Sequence, residues 1–109
     1  MMRVDTVGAV FDALADPNRR TLIGFLAQRD TATATELAAE LPLTRQGIAK
    51  HLATLKEAGL VRRRRSGRET RYKLTPEPMT DAIAWMATVG GQWDDRLEAL
   101  RSHLVRGEH

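Results

Sequence analysis

Arg45, Gln46 and Lys50 lie close together in the middle of the chain, directly after Thr44. Arginine presents a fork of N–H donors that fits guanine, and glutamine makes a two-point contact with adenine. A lysine one helical turn beyond Gln46 can reach a base or a phosphate. The threonine can offer its hydroxyl, or the start of a helix, to a phosphate. These side chains are therefore suited to reading a nucleic-acid groove.

Positive charge is concentrated around these residues. The 109-residue chain has a formal net charge of +3, but residues 44–73 hold ten lysines and arginines against two acids, a local balance of +8. The remaining residues are left with a balance of −5. A basic segment inside an otherwise acidic protein is typical of a localised site for a polyanion.

The hydrophobic pattern predicts a helix that presents these side chains. Ile48, Leu52 and Leu55 recur at helical spacing and are expected to face inward. Thr44 is the expected N-cap of this helix, and Gly59 is the expected C-terminal stop. The residues predicted on its exposed face are Arg45, Gln46, Ala49, Lys50 and Ala53.

A shorter helix precedes it across a turn. Thr33 and Glu36 are spaced as a capping box and open the segment TELAAEL, which Pro42 ends. The three residues Pro42, Leu43 and Thr44 suit the link between the two helices of a helix-turn-helix over residues 33–58. Upstream, Asp16-Pro17 predicts the N-cap and first residue of another helix.

A basic hairpin is predicted after the helix-turn-helix, in residues 60–74. The segments LVRRRR and TRYKL flank a turn that contains Gly67, and together they indicate a wing. We expect Arg65, Arg68 and Arg71, near the tip, to contact phosphates or the minor groove. For any single arginine of residues 62–65, DNA contact and a solvated or salt-bridged role remain equally open.

Two helices at the ends of the chain carry apolar stripes. One lies within residues 1–15, and the other, over residues 76–106, has a heptad-like seam that is too long for so small a domain to bury. Both are predicted to pair with a second copy of the chain. Gly90-Gly91 either kinks the last helix or lets two helices approach closely. The predicted interface consists of Val4, Val7, Phe11, Met79, Ile83, Met86, Gly90, Trp93, Leu97 and Leu100.

Other classes of function find little support in the sequence. The chain has no cysteine, no apolar run long enough to cross a membrane, and no signal-type N-terminus. Its three histidines are scattered without a nucleophile arrangement or phosphate loop, so no enzymatic activity, cofactor or metal is expected. His51 fits a packed or backbone-bonded role better than a metal ligand. A contact from His51 to a phosphate is the intermediate case, and His51 is counted among the candidate DNA-binding residues. Asp94, Asp95, His103, Glu108 and His109 supply metal-ligand types, but no metal site is expected among them.

The sequence resembles the ArsR-type bacterial transcriptional regulators over about residues 7–75. The features that carry the resemblance are ALADPNRR, the recognition helix T-x-x-x-x-x-K-H-L, the exit EAGLV and the strand R-x-x-Y-x-L. The segment WMATVGGQWDDRLEAL is similar to the last helix of a cysteine-free branch, and plain TELAAEL stands where metal-sensing members have a thiolate site. The resemblance implies base-reading positions at Arg45, Gln46, Ala49 and Lys50, with the wing tip near Arg68. Ala49 departs from the small hydroxyl residue often found there.

The resemblance further implies a cytoplasmic homodimer that represses transcription at a palindromic operator. We therefore expect a mainly α fold with a small β-hairpin, a winged helix-turn-helix of about five helices that forms one domain over residues 1–109. The expected function is sequence-specific binding of double-stranded DNA by a repressor, including at its own operon. A metal- or small-molecule-responsive repressor, a low-specificity architectural DNA binder and a protein-interaction module are the alternatives.

Overall fold

A computed structural model describes the backbone of residues 2–107 and the side chains of residues 6–105. The order of elements is α1 (Met2–Leu14), α2 (Pro17–Ala27), β1 (Ala32–Thr33), α3 (Ala34–Ala38), α4 (Arg45–Glu57), β2 (Val61–Ser66), β3 (Glu69–Leu74) and α5 (Glu77–Gly107). This arrangement of five helices around a small antiparallel sheet confirms the expected fold class.

The corner between α1 and α2 is closed by side chains of α2. Asp16 caps α2 by accepting a hydrogen bond from the Asn18 amide at 2.7 Å, with proline at the first helical position, as predicted. Arg19 Nε donates to the Ala13 carbonyl at 2.5 Å, and Arg20 Nη1 donates to the Leu14 carbonyl at 2.6 Å. Both arginines thereby satisfy carbonyls that the end of α1 leaves without helical partners.

The capping box that opens α3 is confirmed. Thr33 Oγ1 accepts from the Glu36 amide at 3.0 Å, and the Thr33 amide donates to Glu36 Oε1 at 2.9 Å. The helix ends at Ala38, earlier than the segment TELAAEL predicts. Pro42 disfavours a helical conformation at the residue before it, so the last turn gives way to the loop that leads to α4.

Helix α4 begins and ends where the sequence predicts. Thr44 is its N-cap, and its hydroxyl accepts from the Gly47 amide at 3.0 Å. At the other end Gly59 has φ +79°, the left-handed conformation that favours glycine. The Gly59 and Leu60 amides donate to the Lys56 and Leu55 carbonyls, respectively, which is the Schellman arrangement.

The wing belongs to a three-stranded sheet with strand order β1-β3-β2. The predicted hairpin is present and turns at Gly67, with φ +63°. Strand β1 was not predicted, because two residues are too few to show an alternating pattern. It pairs with β3 through Ala32 opposite Tyr72 and so fixes the hairpin to the helical body.

The core lies where α1, α2, α3 and α4 meet one face of the sheet. Its most completely buried large side chains are Val10, Leu22, Leu26, Leu37, Ile48, Leu52, Leu55 and Leu60. The inward-facing residues predicted for α4 are all among them.

Helix α5 makes the molecule elongated. The Cα radius of gyration is 19.6 Å and the longest extent is 74 Å, whereas a compact chain of this length has a radius of gyration of about 13 Å. The helix continues through Gly90-Gly91 to Gly107 without a break. Among its described side chains, those that reach the core are buried Ala82 and half-buried Met79, both in the first turns. Within the described residues, no helix is long and apolar enough to span a membrane.

Candidate nucleic-acid interface

The exposed face of α4 presents the predicted base-reading residues together. Arg45, Gln46, Ala49 and Lys50 are all solvent-exposed. They occupy this face because the opposite side of α4 is held in the core by Ile48, Leu52 and Leu55. The N-terminal half of α4 is thus free to enter a groove of DNA.

Thr44 stabilises the helix while staying accessible. Its oxygen accepts the Gly47 amide, which satisfies one of the unpaired donors of the first turn. The hydroxyl hydrogen remains able to donate to a phosphate oxygen.

His51 lies on a different side of the helix from these residues. It is half-buried and lies near the N-terminus of α2. The pKa of Asp16 is lowered, chiefly by the hydrogen bond from the Asn18 amide and secondarily by His51 and Arg19. His51 therefore lies beside the N-cap of α2, and its contact with a DNA phosphate stays a prediction.

A groove joins the recognition helix to the wing. It has a volume of about 530 Å³. One wall consists of Arg45, Gln46 and Ala49, and the facing wall includes Arg68, Thr70 and Tyr72. Base-reading and wing-tip residues that are far apart in the sequence therefore border one continuous concave surface.

The hairpin register divides the four successive arginines of β2 between two faces. Arg63 lies opposite Tyr72, whose side chain is buried in the core, so Arg63 and Arg65 share the face turned toward α4. Arg62 and Arg64 therefore project from the other face. Arg65 Nε donates to the Gly67 carbonyl at 3.2 Å near the tip, and Arg68 is exposed in the turn itself.

Arg71, also predicted to contact DNA, is engaged within its own chain. Its Nε donates to Thr31 Oγ1 at 2.8 Å, Nη2 lies 3.1 Å from Glu36 Oε1, and Nη1 lies 3.1 Å from Glu69 Oε1. The side chain is 26% exposed. In this arrangement Arg71 ties β3 to the start of α3.

Glu36 pairs with Arg71 in addition to closing the capping box of α3. Its pKa is lowered, chiefly by the hydrogen bond from the Thr33 amide and further by the Arg71 guanidinium. The charged carboxylate is therefore the form that suits both partners. The Glu36 cap follows from local spacing in the sequence, whereas the pairing of Glu36 with Arg71 was not predicted, since no local spacing links residues 36 and 71.

The predicted dimer residues divide into three groups. Val7 is buried in the core of its own chain, Met79 packs partly against that core, and the side chain of Val4 lies outside the described residues. Gly90 is exposed, with no atom near the position that a Cβ would occupy. The large apolar side chains left exposed are Phe11, Ile83, Met86, Trp93, Leu97 and Leu100.

The exposed apolar surface extends beyond the predicted heptad seam. Trp85 and Val89 are also exposed, and the Trp85 ring lies edge-on to Phe11 with centroids 5.9 Å apart. Both fall outside a strict heptad seam, whereas a wider amphipathic stripe would have included them.

The described residues contain no cluster of three or more potential metal ligands. Asp94, Asp95 and His103 lie on α5, and Glu108 and His109 lie outside the described residues.

Comparison with known proteins shows that this chain is similar to helix-turn-helix regulators of transcription. A family model described as a helix-turn-helix domain matches residues 14–64. The transcriptional repressor SdpR of Bacillus subtilis is 32% identical over 88 residues, which cover 81% of this chain and 97% of SdpR. The structure of an ArsR-like transcriptional regulator from Rhodococcus sp. RHA1 superposes with a TM-score of 0.82 at 33% identity, covering 94% of this chain and 95% of that one.

The chain belongs to the ArsR-type family of transcriptional regulators. As an ArsR-type protein it is a DNA-binding regulator built on a winged helix-turn-helix. A further neighbour among solved structures is the homodimeric winged helix-turn-helix DNA-binding domain of Mb0332 from Mycobacterium bovis, whose description is "a possible ArsR-family transcriptional regulator". It is 29% identical with a TM-score of 0.64, covering 87% of this chain and 84% of that one.

Proposed function

We propose that this ArsR-type chain is a homodimeric, sequence-specific repressor, acting as one domain and controlling its own operon among others. It works by occupying DNA rather than by catalysing a reaction, and we place it in the cytoplasm with the genome. The observation that carries the proposal is the groove in which Arg45 and Gln46 face the wing tip at Arg68.

Base reading is assigned to the first turn of α4. An α-helix fits the major groove, and the residues at its N-terminus meet the base edges. Arg45 is suited to guanine O6 and N7, and Gln46 to adenine N6 and N7. Ala49 lies one turn beyond Arg45 and offers a methyl surface that can pack against a thymine methyl group.

Affinity is assigned to cations around this turn. Lys50, Arg65 and Arg68 are exposed, and Arg68 lines the groove. All three are suited to phosphate oxygens, as is the Thr44 hydroxyl. These contacts carry no base information, so they set register and strength. Arg71 is given a positioning role because acceptors of its own chain engage it.

Dimerisation is assigned to the apolar side of α5, together with Phe11 of α1. Trp93, Leu97 and Leu100 are each about half exposed, at 57%, 46% and 54%. Side chains of this size on one stripe of a long helix are stabilised by burial against a partner. A twofold dimer presents two α4 helices, which predicts a palindromic operator with half-sites about 34 Å apart.

Selection of bound duplexes from a random pool tests this proposal. The expected result is an inverted repeat whose half-sites are separated by one helical turn, about ten base pairs. A pool that shows no enrichment, or a single unrepeated half-site, would contradict sequence-specific binding by a twofold dimer.

A further inference from the structure

The wing has a second basic face that the base-reading site does not use. Cross-strand pairing places Arg62 directly opposite Lys73 and Arg64 directly opposite Arg71, all on the face turned away from α4. These residues line a concave surface of about 640 Å³, which is also bordered by Asp30, Thr31, Arg63 and Ser66. We call this surface the outer wing face.

The outer wing face carries charge that the chain itself does not neutralise. Arg71 is paired with Glu36 and Glu69, and Lys73 Nζ lies 3.5 Å from Asp30 Oδ1. Among the described side chains, Arg62 and Arg64 have no hydrogen bond or ion pair. Like charges directly opposite each other destabilise a strand pair, so a bound anion would relieve a repulsion built into the hairpin.

The form of this surface favours a polymer over a small ligand. A small-molecule pocket fixes its ligand with a few convergent polar groups in a largely enclosed site. Here Arg62 and Arg64 are both exposed, spaced about 6.6 Å apart along one strand. Exposed cations in a row suit a backbone that adds one phosphate contact after another.

We propose that the outer wing face binds the DNA backbone beyond the base pairs read by α4. The proposal rests on the proposed function, since it needs the wing tip to lie on DNA. A backbone that passes the tip at Arg68 would meet Arg64 first and Arg62 next, because these residues lie at increasing distance from the turn. Flanking DNA thereby adds affinity without adding base preference.

Two duplexes and two charge-matched variants test the proposal. The short duplex contains only the selected operator, and the long duplex extends it by about one helical turn, ten base pairs, at each end. The outer-face variant is Arg62→Gln with Arg64→Gln. Its matched control is Arg65→Gln with Arg68→Gln, the same charge change at two exposed residues near the wing tip that do not line the outer wing face. Affinity is measured by fluorescence anisotropy over a series of salt concentrations.

The outer-face variant is expected to bind the short duplex as the wild type does and the long duplex roughly tenfold more weakly. Both subunits of this variant lack their two outer-face arginines. On the long duplex, the slope of log binding constant against log salt concentration should therefore also fall in magnitude by about 3 to 4. The control variant is expected to weaken on both duplexes. Without DNA, the melting temperature of the outer-face variant should equal or exceed that of the wild type, since a repulsion is removed.

Two results would overturn the proposal. Equal weakening of the outer-face variant on both duplexes would show that Arg62 and Arg64 contact the operator itself. Unchanged affinity of this variant for both duplexes would show that the outer wing face does not bind DNA. Failure of the proposed function has a different signature, because the wild type itself would then show no preference for the short operator duplex over a scrambled one.

Discussion

Arg71 and Glu36, 35 positions apart in the chain, are joined by an ion pair with Nη2 and Oε1 3.1 Å apart. The same carboxylate oxygen accepts the Thr33 amide of the α3 capping box. One side chain therefore connects the start of the helix-turn-helix to the wing. Since α4 packs against α3 and the wing borders the groove, this connection helps to set the distance between the two DNA-binding elements.

The Arg71–Glu36 pair makes the stability of the fold sensitive to acid. The pKa of Glu36 is lowered, chiefly by the Thr33 amide and also by Arg71. Its contribution is fully present above the ordinary glutamate pKa and is lost as the pH falls through the lowered value. Glu36→Gln can still accept the Thr33 amide but cannot titrate. We expect the variant to lose less stability than the wild type on acidification, measured as urea midpoints across that pH range. An equally steep loss in both proteins would contradict this role.

Base reading and phosphate binding are expected to separate by mutation. Gln46→Ala should cost roughly 1 to 3 kcal/mol on the operator and relax the preference at one base position. Arg68→Ala should weaken operator and unrelated DNA alike and reduce the salt slope by about 1 for each phosphate that the arginine neutralises. Competition anisotropy with single-base operator variants measures both effects. If Arg68→Ala altered base preference and Gln46→Ala did not, the two roles would be wrongly assigned.

The apolar stripe of α5 predicts a dimer that a single charge disrupts. Leu97 is 46% exposed in the isolated chain, and Leu97→Glu would put a carboxylate into the proposed interface. We expect the measured mass to fall from twice 12.2 kDa toward 12.2 kDa, determined by analytical ultracentrifugation. Ala99→Glu is the control, because residue 99 is exposed on the opposite side of the helix. A wild-type chain that is monomeric at micromolar concentration would refute the interface.

Replacing Gly59 or Gly24 by alanine is expected to change the free energy of unfolding in opposite directions. Gly59 ends α4 with φ +79°, so Gly59→Ala should destabilise the fold by about 1 kcal/mol. Gly24 lies inside α2, and a Cβ there would meet no atom within 4 Å. Gly24→Ala should therefore stabilise the fold by about 0.5 to 1 kcal/mol. Chemical denaturation of both variants checks the pair. A Gly59→Ala variant as stable as the wild type would contradict the account of the α4 terminus, and a destabilised Gly24→Ala variant would contradict the account of α2.

Local rules predicted the parts of the fold that depend on neighbours in sequence. The caps at Asp16, Thr33 and Thr44 and the stop at Gly59 all involve groups within a few residues of one another. The inward face of α4 follows from helical spacing alone. The structure confirms each of these features because the determining contact and the sequence signal are the same.

Features that depend on distant contacts could not be predicted in this way. Strand β1 exists only because Ala32 meets Tyr72 of β3, and its own sequence carries no strand pattern. No sequence signal indicates that Arg19 and Arg20 hold the end of α1, as they do in the structure. The pairing of Arg71 is a further example. Strand alternation predicts that Arg71 faces away from the core, but it does not predict the ion pair with Glu36. The DNA contacts themselves remain predictions.

The most direct test of the central claim is the competition between operator and unrelated DNA for the wild-type protein. Fluorescence anisotropy on DNA from upstream of its own gene, at two salt concentrations and with excess unrelated duplex, provides it. We expect binding that survives the competitor and weakens steeply with salt, as several phosphate contacts per dimer require. Binding that the competitor removes completely, at both salt concentrations, would contradict a sequence-specific regulator of its own operon.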